Sequence, residues 1–178
     1  MKHVAMMALM LGLGVASVHA QERPVKMKFS GSMVPTSIVQ QPNTITDEEL
    51  LAGDGALGSF TFRKLRTDAV APQASSACPG LNIPVLAAAG VLRFQDGSLL
   101  TVVLEETGGL CIVPPVAHLT ETYQITGGTG RFKGATGSLT LNATLNVVFF
   151  SVSGQPLLLT STGTLEGTVD AAHIRDEK

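Results

Sequence analysis

Apolar and polar residues alternate along most of this chain with a period of two. Residues 25–34 (VKMKFSGSMV) put Val25, Met27 and Phe29 on one side and Lys26, Lys28 and Ser30 on the other. That is the pattern of a strand with one buried face. The same reading holds for residues 56–67, 84–95, 98–105, 117–126 and 138–145, and residues 147–152 and 157–169 supply a last hairpin around Ser153 and Gly154. A shorter apolar run, 110–113, ends at Pro114-Pro115, which interrupts pairing. Gly90 is expected to mark a bend or bulge. Asp96-Gly97 is the clearest two-residue hairpin signal, since both residue types tolerate positive φ. Two stretches break the pattern. Residues 35–55 carry Pro35, Pro42 and the acidic run Asp47-Glu48-Glu49, and read as a long loop over a barrel mouth, with at most one helical turn capped by Thr46 or Asp47. Residues 69–80 (AVAPQASSACPG) read as a loop of small residues.

Eight or nine strands joined in order by short turns would leave costly open edges unless the sheet closes on itself. The pattern therefore predicts an all-β fold, a closed antiparallel eight-stranded β-barrel, with a flat sandwich as the alternative. Eight strands enclose a lumen wide enough for side chains or one small ligand.

The first twenty residues stand apart. Lys2 precedes an apolar stretch, and Val18-His19-Ala20 offers a small-residue cleavage site. Residues 1–20 are expected to be a secretory signal peptide, leaving 21–178 as a single domain in a secreted, periplasmic or extracellular location. No later segment is long and apolar enough to span a bilayer, and the mean hydropathy of +0.30 is raised by this leader. Charged residues make up 15% of the chain and the formal net charge is −2. That balance argues against nucleic acid or an anionic membrane surface as partner, because both need a concentrated basic patch.

Cys78 and Cys111 are the two cysteines of the chain. In an oxidising compartment an even pair is most simply a disulfide. The rival readings are a thiol nucleophile, for which His118 is the one nearby base in sequence, and half of a metal site. Beyond residue 20 the histidines are His118 and His173, too few for a zinc set, so no metal and no cofactor is expected.

The most distinctive stretch is YQITGGTGRFKGATGSLTL, residues 123–141. It runs strand, glycine corner, strand. Gly127, Gly128 and Gly130 permit a tight reversal, Gly134 and Gly137 leave room for a close neighbour, and Phe132 is expected to pack into the core beside the corner. The stretch resembles the GGTG-x-F-x-GA-x-G hairpin of the allene oxide cyclase/dirigent-like barrel superfamily. The resemblance covers the final two thirds of the chain. It implies a calycin-like barrel, chemistry without a cofactor, and a homo-oligomer, dimer or trimer. It carries over no catalytic residue, and the scarcity of aromatic residues here departs from the lumens of the plant enzymes. The segment TGGTGRFK also looks like a dinucleotide-binding turn. Lys133 replaces the glycine that such a turn needs, and a strand follows where a helix should.

On residues 119–125 the apolar parity also carries Glu121 and Tyr123. If that face lines the lumen, Glu121 is a candidate acid or base, and Tyr123 and Arg93 are candidate ligand-binding groups beside it. The plainer reading puts Glu121 near a rim, reaching water or pairing with Arg93. Glu105 and Glu106 are adjacent on a strand end and face opposite ways, as a solvated shoulder. Arg63, Lys64 and Arg66 read as a solvated basic edge that discourages aggregation. Asn142-Ala143-Thr144 is a glycosylation sequon in a strand.

Three functional classes follow. The first is a secreted, non-enzymatic barrel that binds a small hydrophobic molecule along faces such as Leu139, Leu141, Ala143 and Leu145, or serves as a structural module. The second is a cofactor-free isomerase or cyclase using Glu121 and Tyr123. The third is a homo-oligomeric envelope protein without ligand.

Overall fold

A computed structural model describes residues 23–106 and 108–171. The expected signal peptide and the charged tail from residue 172 lie outside the described residues. The strands are β1 (Arg23–Pro35), β2 (Thr44–Gly55), β3 (Phe60–Ala69), β4 (Leu81–Phe94), β5 (Leu99–Leu104), β6 (Gly108–Val113), β7 (Val116–Gly128), β8 (Thr136–Phe150) and β9 (Pro156–Asp170). A single 3-10 turn, Gly130–Phe132, is the one helical element among the described residues.

All pairings are antiparallel, and they close a ring. β1 pairs with both β2 and β9, β3 with both β2 and β4, and β8 with both β7 and β9. The remaining position is shared. β5 pairs with residues 89–93 of β4 and with the end of β7, while β6 pairs with residues 81–85 of β4 and the start of β7. β5 and β6 are therefore two halves of one interrupted strand position. The wall has eight positions and is a closed up-and-down barrel, so every strand position of the ring is paired on both sides.

The ends differ. At the lower end, where β1 begins, Phe132 from the glycine corner enters the lumen and closes it. Its ring lies 4.6 Å from that of Phe94, which lies 6.1 Å from Phe60. The Arg131 guanidinium covers the Phe94 and Phe132 rings at 5.0 and 4.9 Å and donates from Nη2 to the Leu57 carbonyl at 2.5 Å. Gly130 sits at φ 60°, and a Cβ on Gly128 would lie 2.3 Å from the Leu99 carbonyl oxygen, so the corner admits no side chain at either position. At the upper end, Cys78 and Cys111 form a disulfide that ties the loop after β3 to β6.

Two expectations about the wall are corrected. The stretch 35–55 is not one long loop: residues 44–55 form β2, with its acidic run in the ladder between β1 and β3. Polar composition misled because Asp47 and Glu49 of β2 find cations inside the barrel. Gly90 is not a bulge. It stays in register with Lys64 and Val102, and a Cβ there would lie 2.5 Å from the Phe62 ring, so Gly90 makes space for a lumen side chain. The irregularity falls instead between Thr67 and Asp68.

Candidate functional site

Period two decides which charges enter the lumen. On β3, Phe60, Phe62, Lys64, Arg66 and Asp68 share one parity and are all buried, while Arg63 points out and bonds Glu48 at 2.6 Å. On β2, Asp47, Glu49 and Leu51 point inward and are buried. On β7, Leu119, Glu121, Tyr123 and Ile125 point inward. The upper half of the lumen thus holds four carboxylates, Asp47, Glu49, Asp68 and Glu121, against two cations, Lys64 and Arg66.

Arg66 organises one side of this cluster. Its Nη1 donates to Glu49 Oε1 at 2.7 Å, and its Nη2 donates to Asp68 Oδ2 at 2.8 Å and to Asp47 Oδ2 at 3.1 Å. Nε donates to Asp68 Oδ2 at 3.1 Å, and the Met33 sulfur lies 3.2 Å from Nη2. Burial opposes the charge on the guanidinium, but Asp68 and Glu49 outweigh it and hold Arg66 firmly protonated.

Lys64 organises the other side. Its Nζ donates to Glu121 Oε2 and, at 3.2 Å, to the Tyr123 hydroxyl, and it lies 3.4 Å from Glu49 Oε1. Tyr123 in turn donates to Glu121 Oε2 at 2.7 Å. Burial pushes the Glu121 carboxyl up, but Lys64, then Arg66 and the hydrogen bonds, bring it below the usual carboxylate range. Burial and the Glu121 charge push the Tyr123 phenol well up, so it stays a donor. Asp47, nearer the mouth, behaves in the opposite way: burial outweighs Arg66, and with Asp68 alongside raises it to about 6.

Glu121 and Tyr123 are therefore brought together, deep in the lumen. Neither the rim position nor the pairing with Arg93 holds, because Arg93 lies on the opposite parity of β4 and is exposed on the outer wall. The basic edge is corrected too, since Lys64 and Arg66 are internal and only Arg63 is solvated. Glu105 and Glu106 are exposed, and Asn142 is exposed on β8, where its Oδ1 accepts from Thr120. Leu139, Leu141, Ala143 and Leu145 are buried in the shared core.

Chemically, the cluster is a network of ion pairs in which four carboxylates outnumber two cations. A guanidinium stands at the point where Asp47, Glu49 and Asp68 converge, and no three His, Cys, Asp or Glu among the described residues are arranged to hold a metal ion. Three carboxylate oxygens of the cluster have no hydrogen-bond partner: Glu49 Oε2, Asp68 Oδ1 and Glu121 Oε1. Sequence reasoning missed Asp47, Glu49, Lys64, Arg66 and Asp68. The signal was available, because Lys64 and Arg66 share parity with Phe60 and Phe62, and Asp47 and Glu49 share it with Leu51.

No protein-family model and no curated protein matches this chain. Among solved structures, a pterocarpan synthase dirigent protein is similar at 15% identity and a TM-score of 0.42, over 92% of this chain and 99% of that one.

Proposed function

We propose that this chain is a secreted, non-catalytic β-barrel module that works through its outer surface, its lumen being occupied by its own side chains. The observation that carries this reading is the bonding of Lys64, Glu121 and Tyr123 to one another at full burial. These three groups bond chiefly to one another, and Glu121 Oε1 alone among their polar atoms has no partner. A small apolar ligand is a poor match for an interior with six charged side chains, because it offers them neither a hydrogen bond nor a counter-charge. The disulfide is compatible with an oxidising compartment. The glycine corner and the eight-position wall support membership of the allene oxide cyclase/dirigent-like superfamily, which remains part of this proposal.

A cofactor-free isomerase or cyclase is the second reading, and the unpartnered Glu121 Oε1 favours it. It requires the lumen to open and a polar substrate to take that oxygen. Native mass spectrometry on protein isolated from its own source separates the two readings. The bare polypeptide mass is expected. A retained small molecule that disappears in Glu121→Gln would overturn the non-catalytic reading in favour of a lumen site.

A further inference from the structure

Exposed charge is unevenly distributed along the barrel axis. Four connections meet at its upper end: residues 36–43, 70–80, 114–115 and 151–155. None contains Asp, Glu, Lys, Arg or His, and residues 134–165 form an unbroken uncharged run. Charge is found elsewhere: Asp96, Arg131 and Lys133 lie in the lower turns, and Lys26, Lys28, Arg63 and Arg93 are exposed on the wall. Exposed large apolar residues occur on the wall, at Leu50, Leu86, Val91 and Val103, but they gather at the upper end: Ile38, Val39, Val70 and Leu81 belong to or border the upper loops, and the richest group sits on the β8–β9 hairpin.

That hairpin stands clear of the wall. β7 stops pairing with β8 at Val116↔Asn146, and β1 stops pairing with β9 at Met33↔Leu159. Beyond those points the ribbon has no ladder on either flank, and a free two-stranded ribbon is marginal in water. Register shifts between Val147 and Phe149 and between Phe149 and Phe150 leave Val148, Phe149 and Phe150 exposed in succession, at 57, 59 and 53%. Val152 at the turn is fully exposed. The ribbon is thus apolar on both faces.

We propose that this uncharged crown is a membrane-docking surface, inserting peripherally into the interfacial layer of a lipid bilayer with Phe149, Phe150 and Val152 leading. A flat protein partner would cover one face of the ribbon and leave the other in water, whereas the interfacial layer surrounds both. The charge pattern selects the kind of lipid. Anionic headgroups are recognised by clustered Lys or Arg, and the crown has none, so its complement is an electrically neutral surface held by apolar area. The charged wall keeps the rest of the barrel in water.

Flotation of the folded chain with phosphatidylcholine vesicles tests this. Binding is expected to be undiminished by high salt and not enhanced by adding phosphatidylserine. Phe149→Glu combined with Phe150→Glu should weaken it roughly tenfold. Val152→Asp, in the turn outside any ladder, should weaken it in the same direction and serves if the double variant does not fold. Failure of the folded protein to float, equal flotation of the variants, or an end-to-end dimer that the same variants dissociate without any vesicle binding would each overturn the proposal.

Discussion

Lys64 and Glu121 meet inside the barrel from strands that are not neighbours. β3 and β7 stand three positions apart in a ring of eight, separated by β4 and the shared β5/β6 position, and the lysine ammonium donates to the glutamate carboxylate through the lumen. The Phe62 and Tyr123 rings pack edge to face at 6.0 Å between the same two strands. A barrel braced through its lumen by an ion pair and an aromatic pair is closed from within. Removing one ion leaves the other buried without compensation, which is far costlier than a lost surface pair.

Asp47 sets an acid-side signature. Its carboxyl rises from 3.8 to about 6 on folding, so the folded protein holds that proton more tightly than the unfolded chain does. The stability this gives is complete below the unfolded value and is lost as pH rises through about 6. Asp47→Asn removes the dependence. Urea unfolding from about pH 4 to about pH 8 should show the variant gaining on the wild type by up to roughly 3 kcal/mol. Glu121, shifted downward, has the opposite sign: its contribution is present above its unfolded value and fails as pH falls through the folded one.

The disulfide between Cys78 and Cys111 closes a segment with a sequence separation of 33. A loop of that size removes enough unfolded-state freedom to contribute about 3–4 kcal/mol. Replacing both cysteines with serine should lower unfolding stability by that amount, and a reducing agent should do the same to the wild type and nothing to the variant.

The lower end makes a contrast between glycines. Gly128→Ala would push a methyl group into the Leu99 carbonyl and the Phe132 Cβ, so a loss of about 2 kcal/mol or more is expected. Gly134 has φ 73° but open space around it, so Gly134→Ala should cost only the backbone term, about 1 kcal/mol. Phe132→Ala, which removes the plug, should cost about 3–5 kcal/mol. Denaturant midpoints of the three variants check the order.

Much of this fold was legible because period two survives in most strands, and because Asp96-Gly97 and the glycine corner punctuate the chain. β2 was not legible. Its inward residues Asp47 and Glu49 look like solvated loop residues until their partners are known, and those partners, Lys64 and Arg66, look like a surface edge for the same reason. Each half of the cluster disguised the other. Parity offers Glu121 a lumen position beside the plainer rim reading, but its partner could not be read, because Lys64 lies 57 residues away in sequence on a strand that does not neighbour β7.

The account rests on a lumen closed by its own side chains, and a thermodynamic cycle over Lys64→Met, Glu121→Leu and the double variant tests that most directly. Urea unfolding at neutral pH should show each single substitution costing about 3–5 kcal/mol. The double variant should lose far less than their sum, giving a coupling of about 2 kcal/mol or more. A coupling below about 0.5 kcal/mol, the size found for solvent-exposed pairs, would mean that water reaches both groups and would contradict a barrel closed by its own side chains.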